Sequence, residues 1–254
     1  MDENLSPKRV LESALGETFG DGGGGYYTLK LMPGLSAEEL AVRELGLDAP
    51  AVPDEIRELL RFAEGFELGG DEIGFWGFGC GGLEAAFPCG NLIGETGEGA
   101  GNFWCVDVSR RTGAWGPVFY AAHDPPVVVL QSPTLAGFLR DLVASHRDRT
   151  GGPLAALAPF ITEVCRRDPD LQNAADLQGS DDPVVRRFVE GLPARLGPWL
   201  VADLRGGRVG SGFTWGKFGA DTIIRRYGSE LLFALAPPPT RRPSGFFSRL
   251  FGGR

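Results

Sequence analysis

Asn91-Leu-Ile-Gly-Glu-Thr-Gly-Glu-Gly-Ala-Gly-Asn-Phe-Trp-Cys-Val-Asp-Val108 places two apolar, strand-like runs on either side of a glycine loop. Gly97, Gly99 and Gly101 let the chain turn sharply without a side-chain clash, so the geometry reads as a strand–turn–strand unit. The loop carries Glu95, Glu98 and Asn102. Beyond it, Phe103, Cys105 and Asp107 fall on one face of the second strand, because side chains alternate along an extended chain.

Upstream, Ser36 and Glu39 have capping-box spacing at the start of an acidic stretch that runs to Gly46, with Leu40 and Leu45 as its buried positions. A second helix starts at Pro53; Ile56, Leu59, Leu60 and Ala63 form its apolar face, and Gly65 reads as its stop. Residues 66–82 form an aromatic- and glycine-rich loop bearing Asp71, Glu72 and Trp76. Downstream, strands are expected near Val118–Ala121 and Val127–Leu130. A helix over 133–145 follows, with Ser132 as its cap and Leu135, Phe138, Leu139 and Leu142 facing inward.

The flanks read differently. Ser6 caps a short helix that begins with Pro7, and Gly20–Gly25 forms a flexible tract before a strand over Tyr26–Leu31. After Arg149, helices are expected over 154–165 and 182–196, the second capped by Asp182. A hairpin of 199–204 and 209–215 should turn at Arg205–Arg208, and strands should follow at 222–226 and 231–235. Three consecutive prolines from Pro237 mark an extended linker. The expected organisation is an N-terminal extension (1–32), a main domain (33–149), a C-terminal α+β region (150–236) and a Pro-rich linker with a tail (237–254). The fold class is α+β, a mixed or antiparallel sheet flanked by helices.

The 254 residues carry a net charge of −8, with 43% hydrophobic and 23% charged side chains, an ordinary globular balance. Residues 36–110 hold 15 acidic and 4 basic side chains, whereas 111–240 hold 13 and 14. So acidic a segment disfavours nucleic acid and favours a basic partner. No apolar run is long enough to span a bilayer, and Met1-Asp-Glu-Asn-Leu5 lacks the order of a secretory signal, so a cytoplasmic protein without stable membrane insertion is expected. Cys80, Cys89, Cys105 and Cys165 are too irregularly spaced for zinc and are expected as unpaired thiols. No metal and no cofactor is assigned.

The glycine clusters 77–82 and 97–101 lack the lysine and hydroxyl residue of a P-loop, and neither opens a helix after a buried strand. A nucleophile set of Cys105, His123 and Asp107 or Asp124 has no spacing that demands it, so no catalytic residue is assigned. In the tail, Phe246, Phe247, Leu250 and Phe251 share one helical face between arginines and suit docking to a groove or an anionic surface.

Taken in order, these pieces resemble the SUKH superfamily of Smi/Knr-like immunity proteins over residues 33–145. The resemblance rests on the acidic helix ending in Leu45-Gly46, the helix from Pro53, and its close at Ala63-Glu64-Gly65-Phe66, where Glu64 replaces the usual asparagine. It continues through the glycine turn 97–102, where Glu98 stands for the commoner aspartate, the strand at Gly116-Pro-Val118, and the helix after Ser132. It implies a non-enzymatic protein that works by binding, often by neutralising a nuclease toxin. The expected contact surface is Asp71, Glu72, Trp76, Glu95, Glu98 and Asn102, meeting a basic protein partner. The alternative is an adaptor that docks through its Phe/Arg tail.

Overall fold

In a computed structural model of the full chain, residues 5–45, 52–75, 82–95, 101–148, 152–194 and 197–239 are described. Among them the fold is α+β, as expected, with six helices and antiparallel sheets.

The N-terminal part holds α1 (Pro7–Ala14), β1 (Phe19–Gly20), β2 (Tyr26–Tyr27) and β3 (Lys30–Leu31). Ser6 caps α1 by accepting from the Arg9 amide. The glycine tract is no loose linker. It closes a β1–β2 hairpin, in which the Asp21 carboxylate accepts the amides of Gly23 and Gly25. The strand expected over 26–31 is broken into β2 and β3, which join different sheets.

Next come α2 (Ala37–Leu45) and α3 (Asp54–Phe62). The capping box closes in both directions: the Ser36 amide donates to Glu39 at 2.8 Å and the Glu39 amide to Ser36 Oγ at 3.2 Å. Arg57 donates to Glu44, and Arg43 pairs with Glu64, which ties α2 to α3 and to the chain after it. Ile56, Leu59, Leu60 and Ala63 are all buried.

The expected aromatic loop begins as a hairpin of β4 (Gly65–Leu68) and β5 (Asp71–Gly74), which extends β3 into a three-stranded sheet. It turns at Gly69-Gly70, both at positive φ. Gly65 is more than a helix stop, since a Cβ there would lie 2.2 Å from the Ile73 carbonyl oxygen.

The central sheet takes β6 (Asn91–Glu95), β7 (Phe103–Val108), β8 (Trp115–Ala122) and β9 (Val127–Ser132) as an antiparallel meander. The opening stretch is therefore a hairpin. Both faces of β7 are buried: Trp104 and Val106 face one core, Phe103 and Cys105 another. α4 (Leu135–Asp148) covers the first face, with Phe138 against Trp104. Its cap is Thr134, which accepts the Gly137 amide; Ser132 is the last residue of β9 and donates its hydroxyl to the Thr134 carbonyl.

The second face is closed by chain from beyond residue 150. α5 (Gly152–Arg167) packs beside α4, and β10 (Leu171–Asn173) and α6 (Pro183–Glu190) follow. The remaining strands are β11 (Leu200–Asp203), β12 (Gly212–Thr214), β13 (Ile223–Arg226) and β14 (Leu232–Ala236). Strands β10-β11-β14-β13 form a four-stranded sheet stacked on the central one. Phe213 and Phe233 meet Phe87, Phe119 and Leu130 in the shared core. α6 covers the outer face of this sheet with Val185, Phe188 and Val189.

The hairpin expected from β11 and β12 does not form. β10 and β14 occupy both sides of β11, and β12 pairs instead with β9, as a fifth strand of the central sheet. Gly212 permits this approach, since a Cβ there would lie 2.0 Å from the Val128 carbonyl oxygen. The boundary expected near Arg149 is thus crossed by a strand and by a hydrophobic core.

Asp182 caps α6, which ends at Gly191 rather than near 196. The Arg205 guanidinium bridges Asp182 and Asp203 and, through its hydrogen bonds, holds both carboxyls below the usual aspartate range. Depressed acids stabilise the fold above about pH 4, the ordinary aspartate value, and lose that contribution as pH falls through their lowered folded values. Urea midpoints between pH 5 and 2.5 are expected to fall less steeply in Asp203→Asn than in the parent.

Candidate functional site

β5 carries Asp71 and Glu72 at the edge of the β3-β4-β5 sheet, not on a loop. Glu72 stands directly opposite Glu67 across the β4–β5 ladder, and both are exposed. Lys30 pairs with Glu67 in the ladder, and its ammonium lies 3.4 Å from the Glu67 carboxylate. Like charges directly opposite each other destabilise a sheet. Lys30 offsets Glu67, and Glu72 has no ion pair among the described residues.

Asp71 faces a different neighbour. Its Oδ2 lies 3.4 Å from His146 Nε2 on α4, and the Tyr27 hydroxyl lies 2.9 Å from His146 Nδ1. The imidazole is largely buried and edge-packed against Phe19 and Tyr27. The separation to Asp71 is long for a hydrogen bond, so the ring is held chiefly by Tyr27 and its aromatic neighbours. This Tyr–His–Asp line fastens the β1–β2 hairpin and the β4–β5 turn to α4. Glu17 reinforces it by accepting two hydrogen bonds from Arg147. Nothing in the sequence signals it, because its members lie up to 119 residues apart.

The other expected contact residues scatter. Asn102 is 9% exposed, and its side-chain oxygen accepts the His123 amide, so it anchors the β8–β9 connection rather than meeting a partner. Glu95 ends β6. Trp76, Glu98, the Glu95 side chain and the tail set Phe246, Phe247, Leu250 and Phe251 lie outside the described residues. Of the six expected contacts, Glu72 stands exposed beside Glu67 on the outer face of the sheet, whereas Asp71, its neighbour in β5, turns to the other face and to His146.

The weak nucleophile set is not assembled. Cys105 is fully buried and disulfide-bonded, which corrects the expectation of four unpaired thiols; Cys89 and Cys165 are free. Pairing of distant cysteines depends on the fold, and spacing alone does not reveal it. Asp107 is engaged by Arg226, and the His123 ring packs edge-on against Trp215. Among the described residues, no group of three His, Cys, Asp or Glu side chains is placed to hold a metal ion, and no helix is long and apolar enough to cross a membrane.

Two clefts lie beside β13. One of about 300 Å³ runs between β13 and α6, and one of about 430 Å³ runs between the β13–β14 turn and the β7–β8 turn. Both are lined by arginines: Arg187 and Arg225 in the first, Arg110 and Arg111 in the second. Sequence reasoning missed them because these arginines come from three separate segments of the chain. No family model, no curated protein and no solved structure matches the chain.

Proposed function

We propose that the chain is a non-enzymatic binding protein of the SUKH type, an immunity-type protein that neutralises a basic partner such as a nuclease toxin. The observation that carries this reading is the exposed Glu67–Glu72 pair. A cationic surface docking there relieves the repulsion between the two carboxylates, so association gains what the free sheet loses. The order of α2, α3, strands β6, β7 and β8, and α4 is that of the segments on which the resemblance rests, and the β4–β5 hairpin is an addition to it.

The expected partner is the product of an adjacent reading frame. In stopped-flow mixing with that product, Glu67→Lys/Glu72→Lys is expected to slow association about tenfold at low salt, with the difference shrinking in 0.5 M salt. An unchanged rate refutes this placement. A cytoplasmic location belongs to the same reading. There the Cys105 bond would face reduction, and thiol trapping in rapidly quenched cells reveals its state.

A further inference from the structure

We propose that the open edge of β13 takes up an extended, acidic segment of a partner protein as an added strand. This surface is separate from the acidic face and of opposite sign.

β13 is the outer strand of its sheet. The Tyr227 amide donates to the Leu232 carbonyl, so in the antiparallel alternation Ile223, Arg225 and Tyr227 turn their backbone groups toward β14. The backbone N–H and C=O groups of Ile224 and Arg226 therefore point away from the sheet.

Elsewhere the fold closes such an edge. The outward amides of β12 are taken by carboxylates, Gly212 by Asp170 at 2.8 Å and Thr214 by Asp168 at 2.7 Å. Among the described residues, no carboxylate closes β13 in this way. An edge left with free donors and acceptors is a template for another strand.

The two arginine-lined clefts say what kind of strand fits. They lie on opposite faces of β13 and meet at Arg226, one toward α6 and the other toward the β7–β8 turn. An added strand sends successive side chains alternately to the two faces, and so alternately into the two clefts. Phe188, Leu192 and Tyr227 supply apolar wall on the α6 side. Arg187 and Arg225 form no ion pair among the described residues, which leaves their charge for a ligand. In a chain of net charge −8 these clefts are local exceptions, and the complementary strand carries carboxylates. The same charges disfavour pairing of β13 with β13 of a second copy, which would bring the unpaired Arg225 of both copies together.

The test uses a fluorescein-labelled octapeptide repeating Glu-Glu-Val-Val, which sets carboxylates on both faces of a strand. Anisotropy titration of the full chain in low salt is expected to give saturable binding. Arg187→Glu/Arg225→Glu, both surface changes, is expected to weaken it at least tenfold. A backbone N-methylated version of the peptide is expected to lose at least tenfold as well. Ile224→Pro removes the outward amide together with a half-buried side chain, so its binding is compared where the melting curve is preserved, and there it should act like the N-methylated peptide. Equal binding of the N-methylated peptide means attraction by charge alone and overturns the proposal. So does unchanged binding by the double variant, or a dimer in sedimentation velocity that Ile224→Pro dissolves.

Discussion

Arg226→Met is expected to lower the unfolding free energy by about 3–5 kcal/mol, the range for stripping one partner from a buried ion pair. The Arg226 side chain is 4% exposed and that of Asp107 is 7%. Every N–H of the guanidinium is placed. Nε donates to the Glu230 carbonyl, one terminal nitrogen to Asp107 Oδ1 and the Ala86 carbonyl, and the other to Asp107 Oδ2 and the Ser229 carbonyl. The cation also lies 5.5 Å from the centre of the Phe233 ring. Methionine fills the volume but leaves a buried carboxylate and three carbonyls without these donors. Lysine brings a point charge with three donors and no planar fork, so it restores little. Against a total of about 5–15 kcal/mol for a natural domain, the loss is large. It reads directly as a fall in urea midpoint followed by tryptophan fluorescence. Asp107→Leu/Arg226→Met is expected to recover most of it, because an apolar pair no longer strands a charge. A single-variant loss below about 1 kcal/mol would mean that water reaches the pair and that the two sheets are not sealed there.

That ion pair marks where sequence reading ends. The α3 face of Ile56, Leu59 and Leu60, the Ser36–Glu39 capping box and the Asp182 cap all follow from spacings of three or four residues, and all appear as read. The β6–β9 meander is equally local, since each strand pairs with its neighbour in the chain. What failed depends on distance. Asp107 reads as one member of an alternating strand face, and nothing near it announces a guanidinium 119 residues later. The segment 199–215 has the composition of a hairpin, yet its second half is drawn to the open edge of β9, where Phe213 finds Phe233 at 5.1 Å. The site shows the same division. The acidic character of Asp71 and Glu72 was legible, whereas their cross-strand neighbour Glu67 and the contact with His146 are set by sheet register and helix placement.

The placement of β12 makes the second large prediction, that a chain ending at Arg149 does not form a native monomer although it contains α2 to α4 and the whole β6–β9 meander. The central sheet of such a fragment keeps its helix-covered face. It loses the cover of Ala202, Leu204, Phe213, Phe233 and Leu235 over Phe87, Phe119, Val128 and Leu130. It also loses the strand that occupies the β9 edge, and with it the carboxylates of Asp168 and Asp170 that close the far side of that strand. An apolar sheet face of this kind, beside an unpaired edge, is a site of association. The fragment is expected to bind a hydrophobic dye and to elute as soluble aggregates, whereas residues 1–239 should elute as a folded species with a cooperative melt. Within the full chain, Phe213→Ala isolates the anchor. The ring is fully buried, and its removal is expected to destabilise by about 3–5 kcal/mol, the range for a large aromatic lost from a core. Amide exchange should then rise first at Val128 and Leu130, whose amides face β12 and the Ser211 carbonyl before it. A monomeric, cooperatively melting 1–149 fragment would show instead that the stacked sheet is an ornament on a self-sufficient domain.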